Sequence, residues 1–320
     1  MKILVTGGAG FIGSNYVRKI VNNELLGLSK VIVLDNLTYA GRRENLPKEV
    51  LENFEFVLGD ICDEDLVNKI AKRVDVIINF AAESHVDRSI KNSKIFTQTN
   101  ILGVHNLLLA AVASGVSRFI QVSTDEVYGS IASGYSTEAD VMLPNSPYAA
   151  SKASADLLAR SFYKTHGLDV RITRSSNNFG PYQFPEKIIP LFTTRILKGK
   201  KVPIYGSGQN IRDWIHVSDN CIGIHEVLLN GKPGEIYNIG GGNEISNIDL
   251  TKCILAYMGK SEYEIEFVED RLGHDLRYAV SSEKIRKTLG FKPRANFQGE
   301  LQNTINWYTE NFNWWENVVH

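Results

Sequence analysis

The sequence predicts an α/β fold, with a doubly wound parallel sheet and a second, smaller α/β lobe. Three observations predict it. Short apolar, β-branched runs alternate with amphipathic stretches at βαβ spacing, a glycine-rich turn stands between the first strand and the first helix, and the pattern changes after about residue 178. The 320 residues, 43% apolar and 22% charged, supply ample material for a core and exclude a disordered chain. Single cores seldom grow to that length, so two lobes are expected, 1–178 and 179–320, with segments free to cross between them.

The expected strands of the first lobe are Ile3 to Val5, Val31 to Leu34, Phe54 to Leu58, Val76 to Phe80, Phe119 to Val122 and Val170 to Thr173. They lack polar alternation, as parallel strands do when both faces of their sheet are covered. Helix-period apolar positions fill the intervals at Ile12 to Val21, Glu64 to Lys72, Phe96 to Ala113 and Pro147 to Tyr163. In the second lobe, Gly180-Pro181 and Pro185 punctuate a loop before a helix at Ile188 to Leu197. Strands are expected near Val202 to Tyr205, Trp214 to Val217 and Ile236 to Ile239. Asn247 or Ser246 caps a helix through Met258, Gly259 stops it, and a last helix spans about Gln298 to Asn311.

Lys and Arg number 35 against 36 Asp and Glu, a formal charge of -1. No global field favours nucleic acid or anionic lipid, so any anion site must be local. Cys62, Cys221 and Cys253 form no CxxC pair and the histidines show no metal-ligand spacing, which points to a reducing compartment without disulfide or metal site. The N-terminal apolar run is too short for a signal peptide, and no later window holds 18 uninterrupted apolar residues. A cytoplasmic location is expected.

Thr6-Gly7-Gly8-Ala9-Gly10-Phe11-Ile12-Gly13 follows the first strand and opens the first helix. Gly7 permits a tight turn, Gly10 lets backbone approach a pyrophosphate, and Gly13 lets helix pack on strand, the pattern of a Rossmann-type dinucleotide site. Asp35 ends the second strand 22 positions after Gly13, where a carboxylate accepts from ribose hydroxyls and repels a 2′-phosphate; this favours NAD over NADP. Arg42 and Arg43 stand against that preference, because an arginine near the pocket accepts a phosphate. Asp60-Ile61 would flank the adenine, with helix capping as the equal alternative for Asp60, and Ala81-Ala82 would leave room for the diphosphate.

Tyr148 and Lys152 form YxxxK on a helix that starts at Pro147, so both side chains share one face. A phenol titrates near ~10, and a neighbouring ammonium together with a cationic nicotinamide ring favours the phenolate, which makes Tyr148 a candidate base. Ser123-Thr124 ends a strand, and Asp125 and Glu126 follow at the carboxyl edge of the sheet, where open α/β folds bind ligands. Most Asp-Glu pairs are solvated turns. In a cleft, unequal surroundings leave one carboxyl protonated as an acid and the other ionised as a base.

The chain resembles the extended short-chain dehydrogenase/reductases, and within them the dTDP-glucose 4,6-dehydratases. The resemblance rests on Asn79 to Ser89, Ser123 to Gly129, Tyr148 to Lys152, Arg174 to Pro181, Pro185 to Pro190, Arg212-Asp213-Trp214 and Asp270 to Asp275, and covers nearly the full length. Leu272 replaces a usual proline and Leu276 a usual basic residue. The resemblance implies an internal redox cycle that dehydrates dTDP-glucose to its 4-keto-6-deoxy product. Tyr148, assisted by Thr124 and Lys152, takes the 4-hydroxyl proton; Glu126 removes the C5 proton; Asp125 protonates the departing 6-hydroxyl; NAD ends as it began.

Further site residues are implied by the same resemblance. Toward NAD these are Phe11, Ile12, Asn36, Leu37, Thr38, Ser84, Thr99 and Asn178, beside the glycines, Asp35, Asp60, Ile61, Ala81, Ala82, Tyr148 and Lys152. Lys187, Arg212 and Arg271 would meet the substrate diphosphate and nucleotide. Ser84, Thr124, Asn177, Asn247 and His274 offer hydrogen bonds, and Glu186, Ile188, Pro203 and Tyr205 complete the pocket, whereas His216 reads as structural. Surplus apolar surface on Phe96 to Ala113 and Pro147 to Tyr163 suggests a helical homodimer interface, which the family also uses; burial under the second lobe gives the same pattern. The alternatives are a nucleotide-sugar 4-epimerase or decarboxylase, which has no work for Asp125 and Glu126, and a non-catalytic NAD-binding sensor. Thymidine rests on resemblance alone, and the downstream use stays open among cell-surface rhamnose, another deoxysugar and a glycosylated metabolite.

Overall fold

A computed structural model describes residues 1–47 and 53–318. Through the first half the chain runs β1 (Lys2–Thr6), α1 (Phe11–Val21), β2 (Lys30–Asp35), β3 (Phe54–Leu58), α2 (Glu64–Ala71), β4 (Val76–Asn79), α3 (Val86–Lys91) and α4 (Ser93–Thr97). A π-helical turn, Gln98–Gly103, leads into α5 (Val104–Ala113), and then come β5 (Arg118–Thr124), α6 (Pro147–His166) and β6 (Val170–Ser175). The second half holds β7 (Asn177–Phe179), α7 (Ile188–Leu197), β8 (Val202–Tyr205), β9 (Ile211–His216), α8 (Val217–Asn230), β10 (Ile236–Ile239) and β11 (Glu244–Ser246). It closes with α9 (Asn247–Tyr257), β12 (Ile265–Val268), α10 (Glu283–Leu289), α11 (Phe297–Glu310) and α12 (Phe312–Trp315).

Seven strands form one parallel sheet in the order β3-β2-β1-β4-β5-β6-β10. Alternate strand residues feed opposite faces. Ile3, Val5, Val31, Val33, Ile78 and Ile120 pack against Tyr16, Val17 and Ile20 of α1 and Ile224, Val227 and Leu228 of α8. Leu4, Ile32, Leu34, Ile77 and Phe119 pack against α2, α5 and α6 through Val67, Leu107, Leu108, Ala155 and Ala159. With both faces covered, the strands need no polar positions, which is why they read as unbroken apolar runs. Strand order reverses between β1 and β4, opening the crevice at the carboxyl ends where such sheets bind ligands.

The remaining strands form a three-stranded sheet, β11-β9-β7, and a β8-β12 pair. Phe179, Ile189, Phe192, Ile204, Trp214, Ile254, Leu301 and Ile305 make a separate core around them. Residues 236–239, beyond the change of pattern, complete the large sheet beside β6 through the register Ile236↔Ile172 to Ile239↔Ser175. The run read as a strand at Trp214 to Val217 belongs to β9, which starts at Ile211, and Val217 opens α8 with His216 Nδ1 accepting from the Ser218 amide at 3.4 Å. His216 is thus a helix cap, as a structural role requires. Ser246 caps α9, accepting from the Asp249 amide at 3.1 Å.

The helical run Ser93–Ala113 is long and apolar enough to cross a membrane by length and composition, and 44% of its most apolar stretch is buried in the fold. Leu102 and Leu109 on this run and Leu157 on α6 stay exposed.

Candidate active site

The glycine turn is shaped by close approach. Gly7 sits at φ +65°, and a Cβ there would come within 2.5 Å of the Ala81 amide nitrogen at the end of β4. A Cβ on Gly13 would lie 2.3 Å from the Gly7 carbonyl oxygen, so any side chain would push α1 off β1. Gly10 caps α1 with no side-chain partner for the first-turn amides, leaving the positive helix end toward a cleft of about 220 Å³.

That cleft is lined by Gly7, Gly10, Phe11, Ile12, Gly13, Asp35, Asn36, Thr38, Asp60, Ile61, Ala81, Ala82, Ser84, Thr99, Tyr148 and Lys152. These are most of the residues expected to hold the dinucleotide. Leu37 is absent from the lining; at φ 51° it turns the chain and donates its amide to Asp35 Oδ1 at 2.8 Å. Asn178 lines the neighbouring, larger cleft. Asp60 Oδ1 accepts from the Cys62 amide at 2.8 Å and Oδ2 from Asn36 at 2.9 Å, whereas the cap of α2 is Asp63, accepting from the Leu66 amide at 3.0 Å. Of its two readings, Asp60 takes the cleft.

Asp35 accepts the Ala9 amide at 2.8 Å as well as that of Leu37, and burial pushes its carboxyl above the ordinary value. The arginines that spoke for a phosphate are engaged elsewhere. Arg42 donates to the Trp314 carbonyl and lies over its ring, and Arg43 stacks on Phe56 at 5.0 Å. A cradle that any Cβ would fill, a free helix end and a carboxylate at the end of β2 fit NAD.

The larger cleft, about 790 Å³, is lined by Glu126, Asn177, Glu186, Lys187, Ile188, Pro203, Tyr205, Arg212, Asn247, Arg271 and His274. Gln183, Phe184, Glu186 and Lys187 line both clefts and form their common wall. Lys187 reaches Ser84, donating to its carbonyl at 2.9 Å. Ser84 itself lines the smaller cleft. Arg212 is fixed by the carbonyls of Ile211 at 2.7 Å and Asp275 at 2.9 Å and lies 4.4 Å from the Tyr278 ring centroid. Arg271 pairs with Asp87 at 2.5 Å, and His274 with Asp270 at 2.7 Å. Three cations thus stand around a space large enough for a nucleotide sugar. Asn177 Oδ1 and Asn178 Oδ1 are buried without a protein partner, open to a ligand.

The reactive groups collect at the end of β5. Thr124 ends the strand, its hydroxyl accepting from the Glu126 amide and donating to Asp125 Oδ1, both at 3.2 Å. Neither Thr124 nor Asp125 lines a cleft in this state; Asp125 is only 3% exposed, with Oδ2 unpartnered. Burial, with Glu126 and Asp213 nearby, drives the Asp125 carboxyl well above its ordinary range. Burial also raises Glu126, but Lys187, Arg212 and Arg271 oppose the rise. Both carboxyls are raised, but their surroundings are unequal, carboxyls beside Asp125 and three cations beside Glu126, which is the asymmetry that separates an acid from a base.

Lys152 donates to the Val122 carbonyl at 2.6 Å, and burial brings its ammonium down to about 8. The Tyr148 phenol moves upward, opposite to what its lysine neighbour alone suggests. Burial is the main cause and Glu126 adds to it, with a hydrogen bond to Thr124 pulling the other way. The spacing put the ammonium beside the phenol and the sequence named Glu126 and Asp125, but only the fold brings those carboxyls near Tyr148. Asp213, named there only as part of a motif and given no role, accepts the Gly241 amide at 2.9 Å and the Asn243 amide at 2.7 Å, while burial holds its carboxyl above the ordinary value. Tyr278, three residues past the motif ending at Asp275, escaped the reading.

Fold and clefts define an NAD-dependent enzyme of the extended short-chain dehydrogenase/reductase class. Residues 4–304 match the family model described as GDP-mannose 4,6 dehydratase. A dTDP-glucose 4,6-dehydratase from Streptomyces niveus is 52% identical over 319 residues, 99% of this chain and 95% of that protein. The crystal structure of a dTDP-glucose 4,6-dehydratase from Streptomyces venezuelae, with NAD bound, matches with TM-score 0.99 and 52% identity over 100% of both chains. A UDP-glucose 4-epimerase from Thermotoga maritima matches at TM-score 0.90 and 31% identity, covering 98% of this chain and 100% of that one. The chain belongs to the nucleotide-sugar 4,6-dehydratase family, among the dTDP-glucose 4,6-dehydratases.

Proposed function

We propose that this enzyme dehydrates dTDP-glucose to dTDP-4-keto-6-deoxyglucose, with the nucleotide and diphosphate in the larger cleft and the hexose reaching toward Tyr148. The observation that carries the reading is the pair at the end of β5: Asp125 buried, with its carboxyl pushed well above the ordinary range, and Glu126 on the wall of the larger cleft among three cations. An epimerase shares the fold but has no work for that pair. Residues 1–178 would hold most of the cofactor and 179–320 most of the nucleotide sugar.

NAD, when bound, would supply the acceptor for the hydride from C4 and, once reduced, the donor of that hydride to C6, where C5 regains a proton, as well as a cationic ring that favours the phenolate. Tyr148 accepts the proton of the 4-hydroxyl, and Lys152, anchored on Val122, supplies positive charge beside it. The 4-ketone acidifies C5, Glu126 removes the C5 proton, and Asp125 donates the proton with which the 6-hydroxyl leaves as water. Thr124 anchors the pair at the end of β5, donating to the Asp125 carboxyl and accepting from the Glu126 amide. We read the protein further as a cytoplasmic homodimer, its exposed Leu102, Leu109 and Leu157 covered by a second copy.

The test is incubation of the purified protein with dTDP-, UDP- and CDP-glucose. The alkali-induced absorbance of a 4-keto-6-deoxy sugar is expected with dTDP-glucose, and in deuterated water the product carries deuterium at C5. Product without deuterium at C5 excludes the elimination route, and no product from dTDP-glucose excludes the substrate.

A further inference from the structure

Tyr39 lies in the loop after β2 and lines the smaller cleft, yet the chemistry above gives it no work. Its hydroxyl crosses to the wall shared by both clefts and donates to Glu186 Oε1 at 2.9 Å, joining segments 147 positions apart. Its ring meets Phe184 of the same wall edge-on at 5.4 Å. Arg88, on α3, lies 3.6 Å above that ring and points its Nε at Glu186 Oε2, 3.4 Å away. Three segments of chain therefore converge on one carboxylate: the loop after β2, the helix after β4 and the wall before α7.

We propose that Tyr39, Arg88 and Glu186 form a clasp across the cofactor cleft that sets how long the dinucleotide stays bound. A cleft whose two sides are tied by a hydrogen bond and a stacked cation opens only when both are given up. The Glu186 side chain is 13% exposed, so its hydrogen bond is shielded from competing water. The need is chemical. An enzyme that oxidises and then reduces the same sugar must keep its electron carrier between the two steps, since escape strands the intermediate. The clasp thus deepens the dehydratase reading, although its test rests only on the cofactor.

The holoenzyme is loaded with labelled NAD, mixed with excess unlabelled NAD and sampled by rapid desalting. Tyr39→Phe keeps the ring beneath Arg88 and removes only the hydroxyl; exchange about tenfold faster than in the parent is expected, the loss of one shielded bond to a carboxylate. Glu186→Gln is expected to speed exchange similarly. The double variant should fall well short of the product of the two singles, because one substitution removes and the other weakens the same Tyr39–Glu186 bond. Exchange by Tyr39→Phe within twofold of the parent overturns the clasp, as does a double variant whose acceleration is the product of the two. If Tyr39→Phe yields no folded holoenzyme, Glu186→Gln alone decides by the same threshold. No sugar enters this assay, so a protein inactive on dTDP-glucose could still show the clasp, and an active one could lack it.

Discussion

Asp125 shows how much an environment changes one side chain. In water it would be ionised at neutral pH; here burial, with two neighbouring carboxyls, drives its pKa well above the ordinary range and favours the protonated form. Turnover therefore needs Glu126 ionised and Asp125 protonated. Both carboxyls being raised, activity should rise as pH climbs through the group that must ionise and fall as it climbs through the one that must keep its proton, both limbs lying above the ordinary carboxyl range. Asp125→Asn should slow water loss roughly 10²- to 10⁴-fold while leaving the first oxidation intact, resolved by single-turnover absorbance of the reduced cofactor. The same substitution should stabilise the fold. A carboxyl whose folded pKa is raised contributes stability below its unfolded value near ~4 and loses it as pH rises, so the neutral amide wins at pH 7. A thermal midpoint higher by roughly 2–4 °C at pH 7, converging with the parent below about pH 4, is the expected result. At this scale the sequence was legible wherever a motif names a residue type at fixed spacing, as with Gly7, Asp35, Tyr148 and Lys152. It was silent on Tyr39 and gave Asp213 no role, since the partners of both are brought near only by the fold.

Among the elements, the stretch from Phe96 to Ala113 reads as one helix, and the structure breaks it with the π-turn Gln98–Gly103. Asn100 lies within that turn and is buried. Its side chain accepts the Glu83 amide at 2.9 Å and donates to the Glu83 carbonyl at 3.0 Å and to Ser151 at 2.8 Å. Apolar periodicity carries no record of such a demand, because one extra residue in a turn leaves the buried stripe nearly in place. The turn brings Thr99 to the cofactor cleft and ties it to α6, one residue before Lys152. Asn100→Ala strands polar groups of Glu83 and Ser151 and should cost about 1–3 kcal/mol by urea denaturation, with weaker NAD retention after gel filtration. The short strands β7, β11 and β12 escaped periodicity for a different reason: three or four residues give too few repeats to count.

For the whole molecule, the parallel sheet was legible because its strands are covered on both faces, a condition that writes itself into composition. The arrangement of the second core was not, since its strands alternate with loops that serve the cleft. The exposed apolar residues of the run 93–113 and of α6 bear on assembly. Leu102 is 53% and Leu157 56% exposed, an unusual outlay of apolar surface on neighbouring helices. Replacing both with Asp should leave a folded monomer, seen as a halved mass by light scattering at unchanged circular dichroism; a parent already monomeric would remove the reason for the patch.

Strand β10 ties these scales together. It is drawn from residues 236–239, long after the chain has built the walls of the larger cleft, and it seals the edge of a sheet begun at residue 2. Severing the polypeptide near residue 178 would bare the flank of β6 and leave an adhesive border in place of a finished one. The half that grips the cofactor is therefore no transplantable cassette: evolution could vary the loops facing the sugar, but could not trade that portion away wholesale without unravelling the platform beneath.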